Sequence, residues 1–394
     1  MESRDPSRPC KHPVPENYPS SGIGAIPLLD HVLRPLIEQE GPLPFPRFME
    51  LALYHGEHGY YSNPARTRIG RTGDFATSVS VGPAFGRLLA VRLHQAWDVH
   101  GRPASLPVLE LGPEDGSLAL DILQAARRRD ADFHRALHYT VCEHNARKRE
   151  ALAARFSAAQ EARLDIVASP ADHRAKRGVI LANEVLDALP VHLVRSSGGA
   201  WNERLVTLEN DSLSWTETPV PGGDLRQHLA TLPSGLPDGY STEVCLQLGP
   251  FFRELAGVFE DALLLFIDYG FEREDYYHPD RTEGTLQTYA HHQAGDDPLD
   301  TPGQRDLTVH LDFTTVREAA ATAGLQSLGS ARQESYLVHL AHDLLRDLSP
   351  GEGNRDFLRQ FQTLTHPAFF GSRFHVLEFS QGATSSGLSF PCPS

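Results

Sequence analysis

Long apolar runs are scarce in this chain of 394 residues; the longest, Ala262 to Ile267, spans only six. A bilayer-spanning helix needs about 20, so neither a transmembrane helix nor a membrane partner is expected. Cysteine is scarce as well. Cys10, Cys142, Cys245 and Cys392 are scattered without a C-x-x-C pair, which excludes a structural zinc module and a disulfide framework and fits a reducing compartment. Positive charge is short: 36 Lys+Arg stand against 51 Asp+Glu, a net −15. Polyanions need a concentrated positive field, so nucleic acid is not expected as a partner. The chain has no G-x-S-x-G elbow, no Walker A loop and no G-x-G-x-x-G turn, which argues against an α/β-hydrolase, a P-loop enzyme and a dinucleotide site. The N-terminal stretch, Met1 to Ser20, mixes Glu2, Asp5 and Glu16 with prolines and shows neither an apolar core nor an acid-free, Arg-rich amphipathic helix. Residues 1–22 read as a disordered leader, with the cytoplasm as the expected location.

What is present can build a sizeable core, since 40% of residues are hydrophobic. Helical periodicity runs from Ile26 to Ile37 and again over Phe45–Tyr54, followed by a glycine-rich, aromatic loop from His55 to Phe85. From Leu106 short apolar strands alternate with helices: strands at Val108–Leu111, Tyr139–Glu143, Leu164–Val167 and Val179–Asn183, helices at Ser117–Arg128 and Asn145–Phe156. This rhythm predicts an α/β fold with a parallel, doubly wound sheet. Polar–apolar alternation at Trp201–Leu208 and Leu213–Thr218, separated by Asn210-Asp211, predicts a β-hairpin insertion. A helix at Phe251–Phe259, a strand at Ala262–Tyr269 buried on both faces, a helix at Phe313–Ala323 and an edge strand at Phe374–Phe379 complete the expected elements. The expected organisation is thus a cap over residues 23–105, an α/β core over 106–379 with an insertion at 191–244 and a loop at 271–306, and a tail over 380–394.

In such a sheet ligands gather where strand C-termini meet helix N-termini. Glu110-Leu111-Gly112-Pro113-Glu114-Asp115-Gly116 occupies the first such turn, and Glu143 ends the next strand, where an acid can accept hydrogen bonds from a ribose diol. Asn183-Glu184-Val185-Leu186-Asp187-Ala188-Leu189-Pro190 follows a later strand and would hold an amide and two carboxylates over the crevice. A helix cap would need one of these residues, not three.

These segments, with Gly59-Tyr60-Tyr61, Gly73-Asp74-Phe75-Ala76-Thr77, Phe85-Gly86, Ile267-Asp268-Tyr269-Gly270, Gly284-Thr285-Leu286, Pro302-Gly303 and Asp306-Leu307-Thr308-Val309-His310-Leu311-Asp312-Phe313, are colinear over Ile26 to Phe379. Taken together, the chain resembles the MidA-like family of S-adenosylmethionine-dependent methyltransferases. The resemblance implies a class I methyltransferase (Rossmann-like) fold and S-adenosylmethionine as cofactor. It also implies a protein substrate methylated on arginine, since the family's mitochondrial members resemble protein-arginine methyltransferases that help assemble respiratory complex I. By the same resemblance Gly73, Asp74, Glu110, Gly112, Gly116 and Glu143 would bind the cofactor. Asn183, Glu184, Asp187 and Asp268 would form the catalytic, acceptor-facing wall.

Two departures stand out. Glu114 occupies a position where the family has glycine, and Val79-Ser80 replaces a Pro-Glu pair. They leave a second reading open, a catalytically silent homologue acting as a binding or assembly partner. His310 and Asp312 with His339 or His342 could in principle supply two histidines and a carboxylate to iron, but such triads usually lie on β-barrels, so no metal is expected.

Overall fold

The computed structural model describes residues 27–62, 77–161, 163–290, 293–295, 297–346, 352–383 and 387–392. A π-helical turn at Leu29–Leu33 leads into α1 (Arg34–Glu40), then β1 (Leu43–Pro44) and α2 (Phe45–Tyr54). Pro46 stands in the first turn of α2, where its missing N–H costs nothing, and Phe45, Phe48, Met49, Leu51, Ala52 and Leu53 are buried. Next comes α3 (Ala84–Val99), a helix where the sequence reading saw the end of a loop. Gly86 and Arg92 interrupt its apolar stripe. The interruptions have structural causes: a Cβ on Gly86 would lie 2.6 Å from Asp121 Cβ, and Arg92 is buried against an acid.

The alternating region holds β2 (Leu106–Leu111), α4 (Ser117–Arg129), α5 (Ala131–Ala136), β3 (Leu137–Cys142), α6 (Ala146–Ala158), β4 (Leu164–Val167) and β5 (Ala175–Asn183). The insertion comprises β6 (His192–Ser197), β7 (Ala200–Glu209), β8 (Ser212–Pro219), α7 (Asp224–Leu229) and β9 (Ser241–Val244). Asn210 and Asp211 have φ of 48° and 63°, the two-residue turn whose twist matches paired strands, so the expected hairpin forms. Then follow α8 (Leu248–Ala256), β10 (Phe259–Phe271), α9 (Arg273–Tyr276), β11 (Gln287–Ala290), β12 (Gln293–Gly295), β13 (Asp306–Thr308), β14 (Leu311–Asp312), α10 (Phe313–Thr322), β15 (Gln326–Arg332), α11 (Gln333–Arg346), α12 (Glu352–Thr365) and β16 (Phe374–Gln381). Phe259 opens a strand instead of ending a helix.

The main sheet has the order β15-β16-β10-β5-β2-β3-β4, parallel except for β16, with β14 pairing at the end of β10. The chain winds one way from β2 to β4 and the other way from β5 to β10, which puts the switch point between β2 and β5. Successive residues of β10 feed opposite cores: Leu263, Leu265 and Ile267 on one face, Leu264 and Phe266 on the other. β16 does the same with Val376 and with Leu377 and Phe379. A strand apolar on both faces belongs inside a sheet, and β16 lies between β10 and β15, not at the expected edge. The tail is packed rather than free where described: Leu388 is buried, and the Phe390 ring lies on Gly329.

A second core joins segments distant in sequence. Leu28, Leu33, Phe45 and Phe48 pack with Val191, Leu193 and Val206 of the insertion and with Leu299, Leu307 and Val309. β1 adds to β7 as an edge strand. By contrast, α3 packs into the main core with Leu106, Val108 and Leu337, so the core's contacts begin upstream of residue 106.

Arg92 of α3 forks onto Glu378 of β16 with bonds of 2.7 and 2.6 Å; Tyr336 of α11 donates to the same carboxylate at 2.5 Å, and Arg92 also donates to Ser389 O at 3.1 Å. Glu378 is fully buried. Removing one partner of such a pair strands the other charge in the core. Glu378→Ala is therefore expected to cost about 3–5 kcal/mol, read as a lower urea midpoint; an unchanged midpoint would refute the role given to this pair.

Candidate functional site

Above the switch point opens a cavity of about 930 Å³, bounded by the C-terminal ends of β2, β3, β5 and β10 and covered by α2, Tyr60, Tyr61 and the β13 segment. Glu110, Gly112, Glu143, Asn183, Glu184 and Asp187 all reach its wall, so the structure brings together most of the residues the sequence singled out. Gly73 and Asp74 lie outside the described residues. Gly116 and Asp268 are not on the wall. Gly116 starts α4 at φ +78, and a Cβ there would meet the Phe156 ring at 2.5 Å. Asp268, expected to face the acceptor, stands behind the wall with its oxygens turned to backbone N–H groups. One carboxylate oxygen accepts the N–H groups of Val185, Leu186 and Asp187 at 3.2, 2.9 and 3.4 Å, and the other accepts that of Tyr269 at 2.9 Å.

On the β2–β3 side the backbone carries the geometry. Gly112 adopts φ +61, which lets the chain pass close to the cavity. Glu110 accepts a bond from the Tyr139 hydroxyl at 2.8 Å, and burial pushes its carboxyl up to about 7 against that bond. Glu143 accepts the Asn145 N–H at 2.8 Å and lies 3.0 Å from Lys148 Nζ. Glu114 also lies 3.0 Å from Lys148 Nζ, and its φ of +48 keeps the left-handed conformation that suits glycine. The substitution thus preserves the turn, and the added carboxylate meets an ammonium.

On the β5–β10 side acids crowd together. Glu184 sits at φ +54 and accepts from Asn183 Nδ2 at 3.0 Å. Asp187, 4% exposed, takes a short bond from the Tyr269 hydroxyl on Oδ2, while Oδ1 has no partner among the described residues. Asp306 accepts from the Tyr61 hydroxyl at 2.8 Å, and Tyr54 donates to Ala188 O at 2.9 Å. Burial, and then the charge of Asp187, push Glu184 up to about 8 and Asp306 up to about 7. Burial likewise raises Asp187, and burial plus Asp187 raise Asp268. The cavity therefore holds buried acids with no cation paired to them among the described residues, and a positively charged ligand would favour their ionised form. Tyr54, Lys148 and Asp306 were not singled out from sequence, although Tyr61 and Asp306 fall inside quoted motifs. His310 is wedged between the rings of Tyr269 and Phe271 and shifted down to about 4 by burial. Asp312 caps α10 and pairs with Arg273 at 3.1 Å. Among the described residues no cluster of histidines, cysteines and acids is arranged to hold a metal ion.

Comparison with known proteins decides the family. Residues 88–331 match the family of S-adenosyl-L-methionine-dependent methyltransferases. The chain belongs to this family. A superfamily member from Burkholderia thailandensis, crystallised with S-adenosyl-homocysteine, is 31% identical, superposes with a TM-score of 0.80, and the match covers 93% of this chain and 94% of that one. The mitochondrial protein arginine methyltransferase NDUFAF7 homologue of Drosophila melanogaster is 29% identical, with 96% of this chain and 90% of the relative aligned. Human mitochondrial protein arginine methyltransferase NDUFAF7 is 26% identical, with 89% and 82% aligned. The fold is that of the class I methyltransferases, with β16 as the antiparallel strand of the main sheet.

The expected cytoplasmic location is corrected: the two arginine methyltransferase relatives are mitochondrial proteins. That expectation rested on the composition of residues 1–22, which lie outside the described residues, and a pattern lacking there weighs little against similarity over the whole chain. Among the described residues no helix is long and apolar enough to cross a membrane.

The methyltransferase site carries a pH signature. Glu184 rises from an ordinary 4.5 to about 8 in the folded, ligand-free protein, so between these values the native state holds a proton the unfolded chain has released, and stability falls as pH rises through the window. Glu184→Gln, which keeps the Asn183 bond, is expected to raise the melting temperature relative to the parent above pH 8 and to confer no such gain near pH 4.5. A gain independent of pH would contradict this assignment.

Proposed function

We propose that the protein transfers a methyl group from S-adenosylmethionine to a guanidino nitrogen of arginine in a protein substrate. The observation that carries the reading is the buried Asp187 on the cavity wall, with Oδ1 unpartnered among the described residues, beside Glu184. A guanidinium offers paired N–H donors to such carboxylates. The arginine methyltransferase names of the relatives support the choice of acceptor.

The residues present fit the cofactor. Gly112 would let the methionine end approach the β2 turn, where a Cβ would close to 3.1 Å from Val185 Cγ2. Glu143, fixed by Asn145 and Lys148, suits a ribose diol. Glu110 would line the same pocket, and Gly73 and Asp74 would complete it by resemblance, while Gly116 and Asp268 act by holding the two loops. When bound, S-adenosylmethionine supplies an electrophilic sulfonium methyl. Asn183, Glu184 and Asp187 hold the guanidinium so that one nitrogen is fixed in position. A nitrogen that gains a methyl sheds a proton, and Glu184, whose carboxylate form a bound guanidinium would favour, is placed to take it up.

Calorimetric titration is expected to show binding of S-adenosylhomocysteine; no heat at millimolar ligand overturns the enzyme reading in favour of a silent homologue. With methyl-labelled cofactor and a lysate lacking this protein, label is expected in methylarginine of a polypeptide. Glu184→Gln and Asp187→Asn should each lower that transfer by about 100-fold or more while S-adenosylhomocysteine affinity holds. Full transfer by both variants would show that the acceptor lies elsewhere.

A further inference from the structure

Asp306 is a buried acid with no part in the mechanism above. It opens β13, lies on the cavity wall, and is drawn to the β5 loop by the Val309 N–H, which donates to Asp187 O at 3.0 Å. Its surroundings repeat those of Asp187. A tyrosine hydroxyl fixes one oxygen of each acid: Tyr269 on Asp187 Oδ2, Tyr61 on Asp306 Oδ1 at 2.8 Å. The second bond to Asp306, from Leu307 N at 2.9 Å, also ends on Oδ1. Each carboxylate thus keeps one oxygen outside its tyrosine bond, and that of Asp187 is buried without a partner. Aromatic surface adjoins them: the rings of Tyr54 and Tyr61 lie 5.4 Å apart, and Lys148 Nζ sits 5.8 Å from the Tyr61 centroid, a cation already held near that face.

We infer that Asp306, held by Tyr61, is a second carboxylate arm of the acceptor pocket and makes the pocket select a planar guanidinium over a primary ammonium. This rests on the arginine reading above and adds the residue that sets its specificity. A guanidinium presents five donors in one plane, sheds water readily and stacks on aromatic rings; an ammonium presents three donors and is strongly hydrated. Acceptors supplied by two chain segments, the β5 loop and β13, in an aromatic-walled cavity match the first and leave the second short of donors. The mutual charge of the two acids agrees with their proximity, since Asp187 is the charge that most raises Asp306 after burial.

The test titrates the protein, with and without saturating S-adenosylhomocysteine, with n-butylguanidinium and with n-pentylammonium at about pH 8.5, where the acids ionise. The parent is expected to prefer butylguanidinium by about tenfold or more, and Asp306→Asn to lose that preference to within about threefold while S-adenosylhomocysteine affinity is unchanged. Tyr61→Phe, which keeps the ring and frees the carboxylate, should fall between. If Asp306 only anchored β13, Asp306→Asn would lower thermal stability and leave the preference intact, and that result overturns the proposal. So does a parent that binds neither probe, or a variant that loses both equally. Failure of S-adenosylhomocysteine to bind the parent would refute the cofactor reading alone, since the titration without it still reports on the pocket. Should Asp306→Asn fail to fold, Tyr61→Phe carries the test: an unchanged preference there is equally fatal.

Discussion

The carboxylate of Asp268 gathers the N–H groups of three consecutive residues, Val185, Leu186 and Asp187, and so fixes the path of the chain as it leaves β5. Glu184 is left-handed there, a conformation that costs a side chain about 1–3 kcal/mol and persists only where its surroundings impose it. Hydrogen bonds to a charged acceptor are each worth about 1.5–3 kcal/mol, enough to offset that strain. The cost reappears as charge. Asp268 sits behind Asp187 and Glu184; burial raises all three, and the charge of Asp187 adds to it at Glu184 and Asp268. Backbone order at this turn and electrostatic demand for a cation are two results of one arrangement.

The other side of the cavity is built by convergence. The N-terminal helices, the hairpin insertion and the segment that ends in β13 are separate in sequence, yet their apolar residues form one core. That core brings Tyr54 and Tyr61 from one segment and Asp306 from another to the rim facing the sheet. The sheet thus supplies the sites expected of a doubly wound fold, and the shared second core supplies the surface that distinguishes one acceptor from another.

How much of this was legible depends on whether a residue's environment is local. The alternation from Leu106 onward, the Asn-Asp hairpin and the strand-end acids Glu110, Glu143 and Glu184 follow from nearest neighbours along the chain, and the structure places them on the expected elements and on the cavity wall. α3 escaped notice because Arg92, buried only by virtue of Glu378, reads as a break in an apolar stripe. β16 was assigned to an edge because a short terminal run gives no sign of which strands will flank it. Asp268 read as a wall residue because strand position tells which end of the sheet a side chain occupies, but not that loop N–H groups have already filled its oxygens. Asp306, though inside a motif, carried no role for the converse reason: Tyr61, which holds it, and Asp187, whose charge raises it, lie far away in sequence.

The position of β16 also governs the order in which the molecule can assemble. Residues 374–381 come after every other strand of the sheet, yet they lie between β10 and β15 and bring Glu378 to an arginine 286 residues earlier. Until they emerge, β10 has an unpaired edge and Arg92 of α3 lacks the carboxylate that receives it. A nascent chain therefore holds its βαβ half as a partly open sheet, exposed to association through that edge. Closure of the sheet thus spans nearly the full contour and rests on the last strand to be made.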